Sequence, residues 1–460
     1  MLEMRNLFLI WLLAVWLLSF SYLVCYHHYE TSLSTPPLRL RTPSPVYLRP
    51  RQVQLHSKLP KNPVLKLYPS DPVKFDNLLA ASGGVVLGCH ETWLGIREMT
   101  TKFSHYMGLP IIVVRDDSLG KRNRQAFYSV LLSLNVTALH FQGIPTRSLE
   151  FLSWVRGDGS KLMKNFPDSA NMFASVAYHS GVGVHNVSPG ESRLVEEAMR
   201  EAAAGNLELV FIEPDQTAFA RRLGIPACTL WPTFNPKLGI VPSETFVTKK
   251  TDEGRLKIGL LGTATRLAVK NFFTQFSAAC MFDDADIFVN QLKLSSDVTV
   301  PQEFCLGTIE ETGMLTSADF TAALGEFDVN LHVSWTDAVP NAILNSLAHG
   351  VPIITSDTSS IFVDSEFLKD LLVEPRIDDP NSIYERAKRA VAFVNENRTV
   401  FLSEVDKLFT ALDAKAVESW SCFLQSTHGE SMCLNERNEC VANIPLRKAA
   451  RTLPNSKKYY

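Results

Sequence analysis

At 460 residues, with 46% hydrophobic, 20% charged and 10% aromatic content, the chain is too apolar to be disordered and too mixed to be fibrous. Its net charge of −3 is unevenly held: residues 27–75 carry eight Lys/Arg against two acids, so the portion beyond them is more acidic than the whole. A folded part of that character excludes nucleic acid as its main partner.

From Leu7 to Cys25, nineteen residues pass without a charge, which is about 28 Å of helix and close to one hydrocarbon thickness. Their apolar core is longer than that of a cleaved signal peptide, so residues 1–26 are expected to be a cytoplasmic tip and transmembrane signal anchor. The topology expected is single-pass type II in the Golgi or endoplasmic reticulum membrane, held through residues 7–25, with the globular part luminal. Sequons at Asn135, Asn186 and Asn397 are glycosylation acceptors in that compartment. Residues 36–72 hold nine prolines, too many missing donors for regular structure, and residues 27–75 therefore read as an extended stem.

Beyond the stem, apolar runs of strand length at Gly84–Gly88, Pro110–Val114 and Leu207–Ile212 alternate with helical stretches near 93–107, 121–134 and 190–204. This βαβ order predicts an α/β Rossmann-like domain over 76–235 with a parallel sheet buried on both faces. Residues 232–255 bring three prolines and mixed charge and predict a linker. A second Rossmann-like domain is expected over 256–425. Its strands fall at Leu256–Leu261, Asp286–Val289, Val329–Val333 and Val351–Thr355, and its helices near 268–281, Ser317–Phe327 and 340–349, with a helical stretch from about 381 to 425. Two doubly wound domains place a ligand cleft outside the carboxyl ends of their strands. Residues 426–460 form a Cys-containing tail. Seven cysteines follow the apolar segment without a CxxC pair, so a disulfide within Cys422, Cys433 and Cys440 is favoured over a structural metal.

The most informative stretch runs from Ser334 to Asp357. A buried strand ends near Val333, a loop carries Asp337, Pro340 opens a helix and Gly350 closes it. A helix terminus beside that loop favours an anion such as a diphosphate, with Asp337 and Asn345 in reach of sugar hydroxyls. This stretch resembles the C-terminal domain of GT-B nucleotide-sugar glycosyltransferases, especially the large retaining family 4, glycosyl transferases group 1. Ser334, Pro340, Asn341, Ala348, Gly350, Pro352 and Asp357 match the family segment, and its two glutamates fall on Asp337 and Asn345, the second of them neutral here. Gly262 to Asn271 resembles the family's phosphate-neutralising loop, with Arg266 and Lys270 as its cations, and Phe304 to Gly307 resembles the strand before the donor-base loop.

The resemblance implies a retaining, metal-independent hexosyltransferase that needs no cofactor. A nucleoside-diphosphate sugar would be held by Arg266, Lys270, Gly307, Asn341 and Asn345 in the C-terminal domain, Asp337 would be catalytic, and a glycan or glycoprotein acceptor would sit in the N-terminal domain. Cys89-His90-Glu91-Thr92 follows the first strand without the family's glycines. His179, with His185 nearby, is the histidine expected to point into the cleft and act in catalysis. Two other readings stay open: a non-catalytic carbohydrate-binding or scaffold protein on the same fold, and a metal-dependent transferase using the Asp-x-Asp of Asp284 and Asp286.

Overall fold

A computed structural model describes residues 66–91, 94–144, 147–155, 172–180, 189–231, 254–260, 270–289, 305, 307–311, 315, 317–337, 341–426, 431–434 and 440–443. The apolar segment 7–25, most of the stem, residues 232–253 of the expected linker, and the residues His185, Asn186 and Arg266 lie outside that set. Among the described residues no helix is long and apolar enough to cross a membrane.

Among the described residues, the first regular structure lies inside the segment read as stem. Strand β1 (Lys66–Tyr68) pairs antiparallel with β3 (Ile111–Val114). Asp71 then caps the helix Pro72–Ala81, its carboxylate accepting from Val73 N at 2.9 Å. A capping acid followed by proline at the first helical position starts a helix, and here that local signal overrides the proline density upstream.

The first sheet has the order β1-β3-β2-β4-β5-β6-β7, with β2 (Val85–His90), β4 (Ala138–Gln142), β5 (Phe173–Tyr178), β6 (Glu208–Phe211) and β7 (Ala227–Thr229) all parallel to β3. Strands β4, β5 and β7 are absent from the expected set, β4 and β5 because His140 and Ser175 interrupt their apolar pattern and β7 because it is only 3 residues long. In β4 and β5 the interruption is satisfied internally: His140 Nδ1 lies 2.7 Å from Ser175 Oγ, and both residues are buried.

The second sheet runs β10-β9-β8-β11-β12 and is parallel throughout: β8 (Leu256–Leu260), β9 (Ala285–Val289), β10 (Thr308–Glu311), β11 (Val329–His332) and β12 (Ile353–Thr355). Strand order reverses between β2 and β4 in the first sheet and between β8 and β11 in the second. Each reversal opens a crevice at the carboxyl edge, where doubly wound folds hold ligands. Gly350 takes φ +70° after the helix Asn341–Ala348 and ends it, as its position in the sequence requires.

The helix Pro380–Phe423 joins the two lobes. It departs from helical geometry at Asn397 (φ −128°, ψ 37°). Ile383 through Leu412 contribute to the C-terminal core, whereas Trp420 and Phe423 pack with Phe103 and Phe173 in the N-terminal one. The last turns therefore belong to the N-terminal lobe, unlike the expected 256–425 boundary. An apolar face is free to pack on whichever core lies within reach, and the helix is long enough to reach both.

The hairpin β13 (Ser431–Leu434) and β14 (Cys440–Asn443) follows that helix. Cys422 pairs with Cys440, a disulfide inside the expected C-terminal group, while Cys433 pairs with Cys228 of β7 and Cys280 with Cys305. Cys89 is a buried free thiol whose pKa burial pushes up to about 12 against the smaller opposing charge of Arg97, which leaves it inert.

Candidate active site

At the reversal between β8 and β11, the loops leaving the two strands bring Lys270 against Asp337. Lys270 Nζ donates to Asp337 Oδ2, and His332 Nε2, on the last residue of β11, lies 2.9 Å from the same oxygen. Burial acts to raise the Asp337 pKa, but the Lys270 charge and the His332 hydrogen bond outweigh it and hold the carboxyl well below the usual carboxylate range. Burial and the Lys270 charge lower the His332 pKa in turn, so this imidazole is neutral and donates through Nε2.

The loop is fixed from below by Gln275, which donates through Nε2 to Lys270 O and accepts Val333 N at 2.8 Å through Oε1. Asn271 adopts the left-handed region at φ 51° and donates to Ile377 O, which turns the chain sharply after Lys270. One amide thus ties the loop after β8 to the end of β11, which sets the position of the charged pair.

The other donor-site expectations separate. Asn341 opens the helix behind this loop. Asn345 is 2% exposed and donates to Thr321 Oγ1 at 3.3 Å, while its amide oxygen is buried without a hydrogen-bond partner. Gly307 is misplaced as a donor-binding residue. It precedes β10 at the amino edge of the sheet, where a Cβ would collide with Ala285 O, so its glycine serves strand packing.

Asp284 and Asp286 flank the start of β9 at that same edge, and Arg255 contacts them at 2.9 Å and 3.3 Å. An Asp-x-Asp already paired with an arginine at the wrong end of the strands does not serve a cleft. The carboxylate of Asp337, expected to be catalytic, is engaged by both Lys270 and His332.

Across the cleft, Glu213 follows β6 and reaches the C-terminal lobe, accepting from Ser360 Oγ and, at 3.4 Å, from Ser360 N. Burial raises its pKa to about 7 despite those hydrogen bonds, and the charges of Asp215 and Asp337 push the same way. Sequence reasoning missed Glu213, because only tertiary contact buries it and brings it near Asp337. His332 was missed as well, although it ends a strand directly ahead of the Ser334 motif.

No protein-family model matches the chain. Part of it is 21% identical over 213 residues to the catalytic polypeptide of the V-type proton ATPase of Candida tropicalis, a match that covers 45% of this chain and 18% of that one. The one Gly-Lys pair here, Gly120-Lys121, is followed by Arg122, so no Gly-x-x-x-x-Gly-Lys-Ser/Thr phosphate loop is present in the sequence. Among solved structures, sucrose-phosphate synthase from Thermosynechococcus elongatus superposes with TM-score 0.53 at 14% identity, over 74% of this chain and 98% of that one. HepE of Anabaena in complex with UDP-glucose gives 0.51 at 10% identity over 73% and 99%. A UDP-forming α,α-trehalose-phosphate synthase from Burkholderia xenovorans gives 0.50 at 10% over 75% and 99%. The chain has the GT-B fold.

In this GT-B chain His179 does not join the charged group. It follows β5 in the N-terminal lobe, its Nε2 3.2 Å from Gln142 Oε1, and burial lowers its pKa to about 4. Of the sequons, Asn135 is exposed in a left-handed turn after the helix Arg124–Ser133, and Asn397 is half-buried at the break in the long helix.

Proposed function

We propose that this chain is a membrane-anchored luminal glycosyltransferase that moves a sugar from a nucleoside-diphosphate sugar to a glycan or protein acceptor. The observation that carries this reading is the Lys270–Asp337–His332 group at the strand-order reversal of the C-terminal lobe. As the glycosidic bond breaks, negative charge builds on the leaving diphosphate, and a fixed ammonium at that edge stabilises it. Asp337 anchors and aims Lys270, while the neutral His332 holds Asp337 in place. The buried, unpartnered oxygen of Asn345 is an acceptor for a ribose hydroxyl. Structural relatives solved with UDP-glucose or described as UDP-forming favour a UDP sugar as donor.

With cations in the place of a metal, the reaction is read as metal-independent, and the family resemblance makes it retaining. Three disulfides, among them Cys228–Cys433, favour an oxidising lumen, in keeping with residues 7–25 as the anchor of a type II protein of the Golgi or endoplasmic reticulum. A second reading, a carbohydrate-binding scaffold, is favoured by the amide at Asn345 where the resembled family has a carboxylate.

The test is sugar transfer and donor hydrolysis across a panel of UDP sugars, with and without a chelator. Turnover that survives chelation is expected. Donor binding without turnover supports the scaffold, and loss of turnover on chelation ends the metal-independent reading.

A further inference from the structure

We propose that Glu213 and Ser360 form a proton-operated clasp across the cleft, shut while Glu213 carries a proton and released when the proton leaves. This rests on the glycosyltransferase reading in one respect: the cleft whose opening is regulated is the one read as the substrate site. Glu213 is the N-cap of the helix Pro214–Arg222 that follows β6, and Ser360 opens the short 3-10 turn Ser360–Phe362 that follows β12. Glu213 is 7% exposed, and its printed side-chain bonds all run to Ser360 of the other lobe. Gln216 Nε2 donates to Ser180 O at 2.9 Å and Thr229 Oγ1 to Thr217 Oγ1 at 2.7 Å, which bind the start of this helix to the N-terminal sheet. Exposing the carboxyl therefore requires the segment of Ser360 to move away.

The charges around Glu213 are of one sign. Asp215 acts on it from its own helix and Asp337 from the loop after β11, and both favour the protonated carboxyl. The cations of the opposite lobe are taken: Lys270 by Asp337, Lys369 by Asp357 and Lys415 by Asp364. His332 is hydrogen-bonded to Asp337, and burial keeps both it and His179, at the end of neighbouring β5, neutral. Glu374 shows the alternative within the same fold, since it is 2% exposed and receives Arg386 Nε at 2.8 Å. A buried carboxyl given an arginine stays ionised, whereas one given a serine and two neighbouring acids holds a proton.

The direction of the coupling follows from that burial. In the shut cleft Glu213 titrates at about 7, and once the lobes part the carboxyl meets water and returns toward its ordinary 4.5. The open form thus binds the proton more weakly, so rising pH favours opening and falling pH favours closure. Between pH 6 and pH 8 these two values make opening about tenfold easier. The released proton goes to solvent, and access to the cleft follows the pH of the compartment.

The experiment follows amide hydrogen exchange by mass spectrometry in the full chain in detergent micelles at pH 6 and pH 8, each rate divided by the chemical rate at that pH. Peptides covering 212–217 and 357–363 report the clasp, and one covering 124–133 reports the N-terminal core. The clasp peptides are expected to exchange at least about tenfold faster than the core peptide, because the lobes part without unfolding. Their corrected exchange should rise about tenfold from pH 6 to pH 8, and Glu213→Gln, which keeps an acceptor for Ser360 but cannot ionise, should remove that rise. If Glu213→Gln fails to fold, Ser360→Ala carries the test and should speed the clasp peptides about fivefold at pH 6 with the core peptide unchanged. Corrected exchange that is equal at the two pH values, a rise that persists in Glu213→Gln, or clasp peptides that exchange only as fast as the core would each overturn the proposal. Saturating UDP is expected to slow the clasp peptides. A pH-dependent release that UDP leaves untouched upholds the clasp and removes the donor reading, whereas protection by UDP without pH dependence removes the clasp and keeps the donor reading.

Discussion

At the carboxyl edge of the C-terminal sheet the side chains between β8 and β11 are charged and paired, Lys270 and His332 meeting on one oxygen of Asp337. At the matching edge of the N-terminal sheet, the crevice beyond β4 and β5 is lined by aromatic rings and a histidine that burial keeps neutral. Both edges come from the same doubly wound architecture, so the contrast is one of side chains on equivalent backbone. A parallel sheet with a strand-order reversal supplies a crevice, and residue identity decides whether its walls are charged or apolar.

The largest expected effect breaks the charged edge. Lys270→Ala should weaken UDP binding by about 1.5–3 kcal/mol, the range for a hydrogen bond to a charged group, and should also lower stability by stranding the Asp337 carboxylate. The double variant Lys270→Ala with Asp337→Asn should recover stability but not affinity, as read by calorimetry and thermal melts. Recovery of both would move the diphosphate elsewhere and erase the contrast between the edges.

Glu213 lies where the two edges meet, and its effect is smaller and depends on pH. Its folded pKa of about 7 lies above the ordinary 4.5, so the native state holds a proton that the unfolded chain releases, and stability falls as pH rises through that window. Glu213→Gln should match the parent near pH 4.5 and exceed it at pH 8 by at most about 3 kcal/mol, the full value of such a shift, in urea unfolding at the two pH values. A parent whose stability does not fall between them would show that Glu213 is not held protonated against Ser360.

The smallest effect is expected at Asn345. Asn345→Asp returns the carboxylate of the resembled family to a site that is 2% exposed, at a cost in stability of about 1–2 kcal/mol for a carboxylate hydrogen-bonded to Thr321. UDP-sugar affinity that is kept or improved would place a ribose hydroxyl on this side chain, whereas affinity that falls along with stability would confine Asn345 to packing between helices.

The sequence by itself determined two parallel-sheet lobes, because uninterrupted Val/Ile/Leu strands need cover on both faces. It also located Lys270 and Asp337 on one edge, since residues in loops after strands of one parallel sheet emerge on the same side. It placed a disulfide in the C-terminal group, and Cys422–Cys440 is that bond. The tertiary structure decided what local pattern does not encode. Gly307, Asp284 and Asp286 resemble site residues by motif, but the direction of their strands puts them at the far edge. Asp337 reads as a catalytic acid in one dimension and becomes the partner of Lys270 once the β8–β11 pairing brings sixty-odd residues of separation to contact. Glu213 acquires its raised pKa, and Trp420 its place beside Phe103, from chain segments far apart in sequence. Burial and electrostatic shifts are sums over neighbours in space, and only the packed lobes supply those neighbours.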